Sequence, residues 1–176
     1  MAAKKRSSAK KTRKPARKAA KARRPAKKPA RRAVKPIPDG FHTVTPYVVV
    51  RGVAEFMDFL AAAFGAKEMG RMPRADGTVM HAQVRIGDSM VMMGEHQGEG
   101  ALVPGMLYLY VKDADAAYAR ALAAGATSIR EPTDQLYGDR NAGVRDPFGN
   151  QWWMATHKED VSDEEMRRRF AAGSRS

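Results

Sequence analysis

An internal echo of about sixty residues constrains this chain more than any other feature. Phe64-Gly65-Ala66 is answered by Ala124-Gly125-Ala126 sixty positions on, and Gly87 by Gly149 sixty-two positions on. The surroundings of each half read alike. After the Asp39-Gly40 turn, an alternating β-branched segment over 43–50 predicts a strand. Val53, Phe56, Met57, Leu60 and Phe64 then share one helical face up to Gly65, a residue suited to a left-handed helix cap. Three short strands are predicted near 66–72, 78–86 and 89–95, divided by the tight-turn dipeptides Asp76-Gly77 and Gly87-Asp88. The second half repeats the order: a strand over 106–111, a helix capped by Asp113 and running through Ala124 to Gly125, then strands near 127–131, 140–146 and 150–157. Duplication of one strand–helix–three-strand unit accounts for this spacing. Ser162-Asp-Glu-Glu165 is a capping-box pattern that opens a short polar helix, read as a surface helix packed by Met166 and Phe170.

The charge is divided as sharply as the pattern. Of 32 Lys/Arg and 19 Asp/Glu, giving a net +13, residues 1–35 hold 17 of the bases and none of the acids. The remainder carries 15 against 19, a net of −4. Residues 1–36 therefore read as a disordered Lys/Arg/Ala/Pro-rich tail, with too little apolar surface to bury and with Pro15, Pro25 and Pro29 opposing a helix. Lys10, Lys11, Arg13, Lys14, Arg17, Lys18, Arg23, Arg24, Lys27, Lys28, Arg31 and Arg32 are expected to neutralise phosphates of DNA, RNA or another polyanion, without sequence preference and with steep salt dependence. No aromatic residue is interleaved there, so base stacking is not expected. In composition the tail resembles the Lys-, Ala- and Pro-rich tails of linker-histone-like bacterial proteins.

The chain contains no cysteine, which excludes a disulfide framework, thiolate metal sites and a cysteine nucleophile. No apolar run approaches the ~20 residues of a spanning helix, and the N-terminus lacks the apolar stretch of a signal peptide. A cytoplasmic location is expected, with nucleoid association as its extension through the tail.

Several motifs in order carry a family resemblance: paired βαβββ modules, the opening Thr45-Pro-Tyr-Val-Val-Val50, His81-Ala-Gln-Val-Arg-Ile-Gly-Asp-Ser89, Tyr137-Gly-Asp-Arg140, and Asp146-Pro-Phe-Gly149 with Trp152-Trp153. Together they resemble the vicinal oxygen chelate superfamily of glyoxalases, bleomycin-resistance proteins and dioxygenases, and within it the PhnB-like branch. The resemblance implies an α+β fold in which two tandem modules form a curved, barrel-like mixed sheet around a cavity. It covers a domain over 37–160, with modules near 41–98 and 102–158, followed by a short C-terminal helix and tail over 161–176. It implies a homodimer, and leaves open whether modules pair within one chain or across two. As to activity, it spans metal-free binders as well as lyases, isomerases and dioxygenases.

Within such a sheet, alternation sorts the side chains. Met80, Ala82, Val84 and Ile86 are expected to meet a helix, and His81, Gln83 and Arg85 to face the cavity. Thr45, Tyr47 and Val49 join them, as do Ser89, Val91, Met93 and Glu95. From the second module come Met106, Tyr108, Tyr110, Gln151, Trp153, Ala155 and His157. His81 or Glu95 is the candidate general base, and Arg140 the candidate stabiliser of developing negative charge. Tyr47, Gln83, Tyr108, Tyr137, Trp153 and His157 are the candidate ligand contacts. For Arg140 the alternative is an anchor paired to Asp139 or Asp146; for Glu95, an exposed hairpin residue; for His157, a strand-end histidine bonded near the C-terminal helix. His42 and His96 read as surface residues.

The resemblance also supplies a metal test. Metal-dependent members draw His and Glu from the first and last strands of each module. Those positions fall near Thr45 and Met106, and on Val91 and Trp153, or on Glu95 and His157 if the register is shifted by four. An improvised trio of His81, Glu95 and His157 is the remaining alternative. No cofactor is expected, a divalent ion would meet an incomplete ligand set, and a metal-dependent glyoxalase is disfavoured.

Overall fold

A computed structural model describes residues 34–173. Residues 1–33 of the tail, and with them every nucleic-acid-binding residue named above, lie outside the described residues. Eleven elements follow in chain order: β1 (Tyr47–Val50), α1 (Val53–Phe64), β2 (Lys67–Pro73), β3 (Val79–Ile86), β4 (Ser89–Glu95), β5 (Met106–Tyr110), α2 (Ala114–Ala123), β6 (Thr127–Asp134), β7 (Asp139–Arg145), β8 (Gln151–His157) and α3 (Asp163–Gly173). The two sheets have orders β1-β4-β3-β2 and β5-β8-β7-β6, the first pair of each parallel and the rest antiparallel. The sheets are not hydrogen-bonded to each other, so no barrel closes within the chain.

Local chemistry explains the element boundaries. Gly65 adopts φ 67° and its N–H donates to the Ala61 carbonyl, ending α1 with a left-handed cap. Gly125, at φ 100°, follows α2 in the equivalent place. The side chain of Asp113 accepts from the Ala116 N–H at 2.9 Å and starts α2. The first strand begins at Tyr47 rather than at residue 43. Ahead of it, Pro46 has no N–H to donate, and the Thr45 hydroxyl is turned back to the His42 carbonyl at 2.9 Å. Strand β6 runs on to Asp134, past its expected end at 131, and β7 starts at Asp139 after a short turn.

One core serves both modules. Each sheet lays one face on its helix, and Val48, Val50, Phe56, Leu60, Ala82, Val84, Met93, Ala117, Ala142, Val144, Trp152 and Met154 belong to a single buried cluster. The seam is aromatic: Phe56 meets Phe148 edge-on with centroids 5.2 Å apart, and Phe64 lies 5.0 Å from Trp152. The Arg120 guanidinium, on α2, donates to the Ala63 carbonyl of α1 at 3.3 Å. The turn at Asp146-Pro-Phe-Gly149 holds this seam. Asp146, 4% exposed, accepts from the N–H groups of Phe148 and Asn150, both at 2.8 Å, from Asn150 Nδ2 at 3.0 Å and from Trp152 Nε1 at 2.8 Å. Asn150 in turn accepts the Gly105 N–H at 2.9 Å. A buried carboxylate is tolerated here because four donors replace its water.

Candidate functional site on the open sheet faces

Because the helix-bearing faces share the core, the other face of each sheet is turned outward. On the first sheet the register aligns Tyr47 with Met92, Val49 with Gly94, His81 with Gly94, Gln83 with Met92 and Arg85 with Met90. This open face therefore carries Tyr47, Val49, His81, Gln83 and Arg85, as expected, but β4 contributes Met90, Met92 and Gly94. Val91 and Met93 are buried opposite Val84 and Ala82 on the helix side. The alternation expected for 89–95 is thus reversed, since the two-residue turn at Gly87-Asp88 joins Ile86 directly opposite Ser89.

That reversal removes Glu95 from the open face. Its carboxylate accepts from the Gly52 N–H at 3.0 and 3.1 Å and from the Val53 N–H at 3.0 Å, capping α1 where Gly52 offers no side chain. Arg140 is likewise turned to the helix side, paired in register with Thr156. It forms a fork with Asp115 of α2 at 2.6 and 2.7 Å and reaches Asp134 at 3.2 Å, rather than Asp139 or Asp146. These two carboxylates hold its guanidinium above the usual arginine range. Among the three residues expected to perform chemistry, His81 alone stands on an open face. It stacks on Tyr47 at 5.7 Å, with the phenol oxygen 3.3 Å from its Nδ1. Thr45 precedes the strand, and His96 is partly buried, its Nδ1 closed off from solvent without a partner.

The second sheet's open face is richer. Tyr108, Trp153 and Gly143 lie side by side in register, followed by Tyr110, Ala155 and Asn141, and then by His157 and Asp139. Gly143 is required at its position: a Cβ there would stand 3.0 Å from three atoms of the Trp153 ring. From β6, Arg130 places its guanidinium 5.2 Å from the centre of that ring. Asn141, 2% exposed, donates from Nδ2 to the Tyr137 oxygen at 2.7 Å and the Tyr108 oxygen at 3.4 Å, while its Oδ1 is buried without a donor. Trp153 Nε1 is also buried without an acceptor. Burial pushes the Tyr137 phenol above its ordinary value.

Beside this group, buried Asp139 accepts from Tyr110 at 3.1 Å and from His157 Nδ1 at 2.7 Å, and His157 Nε2 donates to Asp160 at 3.0 Å. These bonds, with Asp139 first, raise the His157 pKa, and the Asp139 bond raises that of Tyr110. Arg130 and Asn141 were not singled out from the sequence, and Asp139 only as an alternative partner for Arg140. For Asp139 and Asn141 the phase of β7 was the legible signal, because with Gly143 they alternate with the apolar Ala142 and Val144; Arg130, on β6, had none.

The residues present do not fit the superfamily's metal. On the open faces, the paired first- and last-strand positions are Tyr47 with Met92 and Tyr108 with Trp153. The trio His81, Glu95 and His157 is dispersed over two open faces and a helix cap. No group of three His, Cys, Asp or Glu suited to a cation occurs among the described residues.

Two βαβββ modules with helices on one side of each sheet and a polar, aromatic face on the other define a vicinal-oxygen-chelate-type domain. The chain belongs to the Glyoxalase/Bleomycin resistance protein/Dioxygenase superfamily, whose family model matches residues 40–154. It is 37% identical over 134 residues to an uncharacterized protein of Mycobacterium bovis, Mb0911c, covering 70% of this chain and 88% of that one. Among solved structures it is similar to TioX from Micromonospora sp. ML1, with 27% identity, TM-score 0.54, and coverage of 65% and 98%. The fold is also that of a PhnB protein from Bacillus cereus, titled a putative 3-demethylubiquinone-9 3-methyltransferase, at 16% identity, TM-score 0.56, and coverage of 65% and 99%.

Proposed function

We propose that this protein binds a compact, flat aromatic metabolite carrying an anionic group, on the open face of its second module. The observation that carries the reading is the Trp153 ring lying close against Gly143 with the Arg130 guanidinium 5.2 Å from its centre, beside Tyr108 and the buried Asn141 amide. A ring stacked along Trp153 and Tyr108 extends the aromatic surface, and its anionic group meets Arg130, which has no carboxylate partner among the described residues. Tyr137 and His157 border the site.

A second copy completes it. Tyr47, Met72, Met106, Tyr108 and Tyr110 are each more than two-fifths exposed on outward faces, an apolar extent suited to self-association. A homodimer that lays the first-module face of one copy over the second-module face of the other forms a cavity between them, with Tyr47, His81 and Gln83 as its far wall. Calorimetric titration with naphthalene-2-carboxylate and a panel of aromatic carboxylates tests the site. One ligand per chain is expected, with binding lost in Trp153→Ala and weakened at least tenfold in Arg130→Ala. A panel without a binder, or binding indifferent to both substitutions, overturns the reading. Sedimentation at micromolar concentration tests the dimer.

A second reading concerns residues 1–35, whose 17 bases without an acid stand against a net −4 elsewhere. The tail attaches the binding domain to nucleic acid, including the nucleoid, through phosphate neutralisation. Duplex DNA should bind with steep salt dependence and be released on deletion of residues 1–35; retention by the truncated protein at moderate salt overturns it.

A further inference from the structure

We infer that α3 is a positioning element for the ligand site, acting through Arg169 on the turn that carries Tyr137; the inference rests on the site proposed above. Tyr137 lies in the turn 135–138 between β6 and β7, and two independent attachments join that turn to the C-terminal segment. The first is at Gly138, with φ 94°, where a Cβ would collide with the Glu159 carbonyl and stand 3.0 Å from Val161 Cγ2. The segment after β8 thus crosses directly over the turn, and the Gly138 carbonyl accepts from the N–H groups of Lys158 at 2.9 Å and Glu159 at 3.1 Å. The second attachment is Arg169. From the second turn of α3 its guanidinium donates to the Leu136 carbonyl at 3.2 Å, to both Glu159 oxygens at 2.7 and 2.9 Å, and to Glu165 at 2.8 Å.

One planar cation therefore ties the helix, the segment after β8 and the turn together, and the neighbouring Tyr137 accepts from the Asn141 amide at 2.7 Å. The bond matters to the site because Asn141 has two donors and one acceptor group in a buried setting. Its Nδ2 donors bind both the Tyr137 and the Tyr108 oxygens, so the buried amide fixes the Tyr137 ring beside Tyr108 on the open face. If the turn loosens, the amide loses the contact that fixes its orientation. Each ion pair of Arg169 is solvent-accessible and weak alone, so the effect is expected on local order and ligand affinity more than on global stability.

The test uses the full chain, naphthalene-2-carboxylate as probe, and amide hydrogen exchange. Arg169→Ala is expected to speed exchange over residues 135–139 about tenfold while β3 and β4 are unaffected. It is also expected to weaken the probe about fivefold, the worth of about one net hydrogen bond. Tyr137→Phe should weaken it similarly, and the double variant should lose no more than either single one, because both act through one contact. Arg169→Lys retains the charge but not the fork, and should recover only part of the loss. Unchanged exchange over 135–139 in Arg169→Ala overturns the inference, as do losses that multiply in the double variant. If the probe fails to bind wild type, or Trp153→Ala leaves its binding intact, the site reading fails and the exchange comparison still decides the coupling of α3 to the turn. If Trp153→Ala abolishes binding and Arg169→Ala leaves it intact, the site stands and the positioning role fails.

Discussion

The two sheets are wound alike, each with a parallel pair formed by its first and last strands and each resting one face on its own helix. Their open faces differ. The first presents Val49, Met90, Met92 and Gly94 around one stacked Tyr47–His81 pair. The second presents Arg130 over Trp153, Asn141 bonded to two tyrosines, and Asp139 between Tyr110 and His157. The turns differ in the same direction. Gly87-Asp88 needs only a tight two-residue reversal, whereas Asp146 is buried beneath its turn with four donors. A duplicated scaffold has thus kept its geometry while its buried polar groups are concentrated in one copy, because geometry depends on alternation and caps, whereas polar chemistry depends on individual residues.

The largest expected effect tests that concentration. Asp146→Ala leaves Trp152 Nε1, Asn150 and two backbone N–H groups without their acceptor inside the seam. The loss should be about 3 kcal/mol or more by urea unfolding, with no counterpart at Asp88, where Asp88→Ala should fall within about 0.5 kcal/mol. A cost at Asp146 no greater than at Asp88 would remove the asymmetry of the turns. Next come the glycines of the two faces. Gly143→Ala forces the confined Trp153 ring aside and should cost about 2 kcal/mol. Gly94→Ala meets the Tyr47 hydroxyl, which can swing outward, so a smaller loss is expected together with separation of Tyr47 from His81, seen as a changed His81 shift in NMR.

Helix caps provide a finer comparison. Glu95 caps α1 from a strand 42 and 43 positions away, and Asp113 caps α2 from its own N-terminus. Glu95→Ala should cost about 1.5 kcal/mol, against about 1 kcal/mol for Asp113→Ala, since the former frees two backbone donors. The smallest effect is a pH dependence confined to the second face. His157 is held protonated above its ordinary value of 6.5, so its contribution is complete below that pH and fades as pH rises through the raised value. The melting-temperature gap between wild type and His157→Gln should be widest near pH 6 and should close in alkaline solution; a gap that widens instead would reverse the assignment.

Much of this was legible in residues. The sixty-residue echo placed both modules, and the helix ends at Gly65 and Gly125 follow from glycine's access to positive φ. Tyr47, His81, Gln83, Tyr108, Trp153 and His157 reached the open faces because alternation within their strands is set by the backbone. Glu95 and Arg140 did not. Placing residues 89–95 needed the pairing across the Gly87-Asp88 turn, a single-residue phase that in a sheet moves a side chain to the other face. Placing Arg140 needed its partner Asp115, supplied by a helix 25 positions earlier in the chain. Arg130, Asp139 and Asn141 became visible as a group only when three strands were laid side by side.

By itself, the sequence determined the duplicated βαβββ order, the charge division between tail and body, and the glycine and aspartate turns, all properties of residues close together in the chain. Tertiary structure decided that the helix sides share one core and leave both polar faces outward, that Trp152 is buried while Trp153 lies on an open face, and that Glu95 caps a helix. These outcomes depend on register and packing between distant segments, where the buried donors and apolar faces of one element select the partner supplied by another.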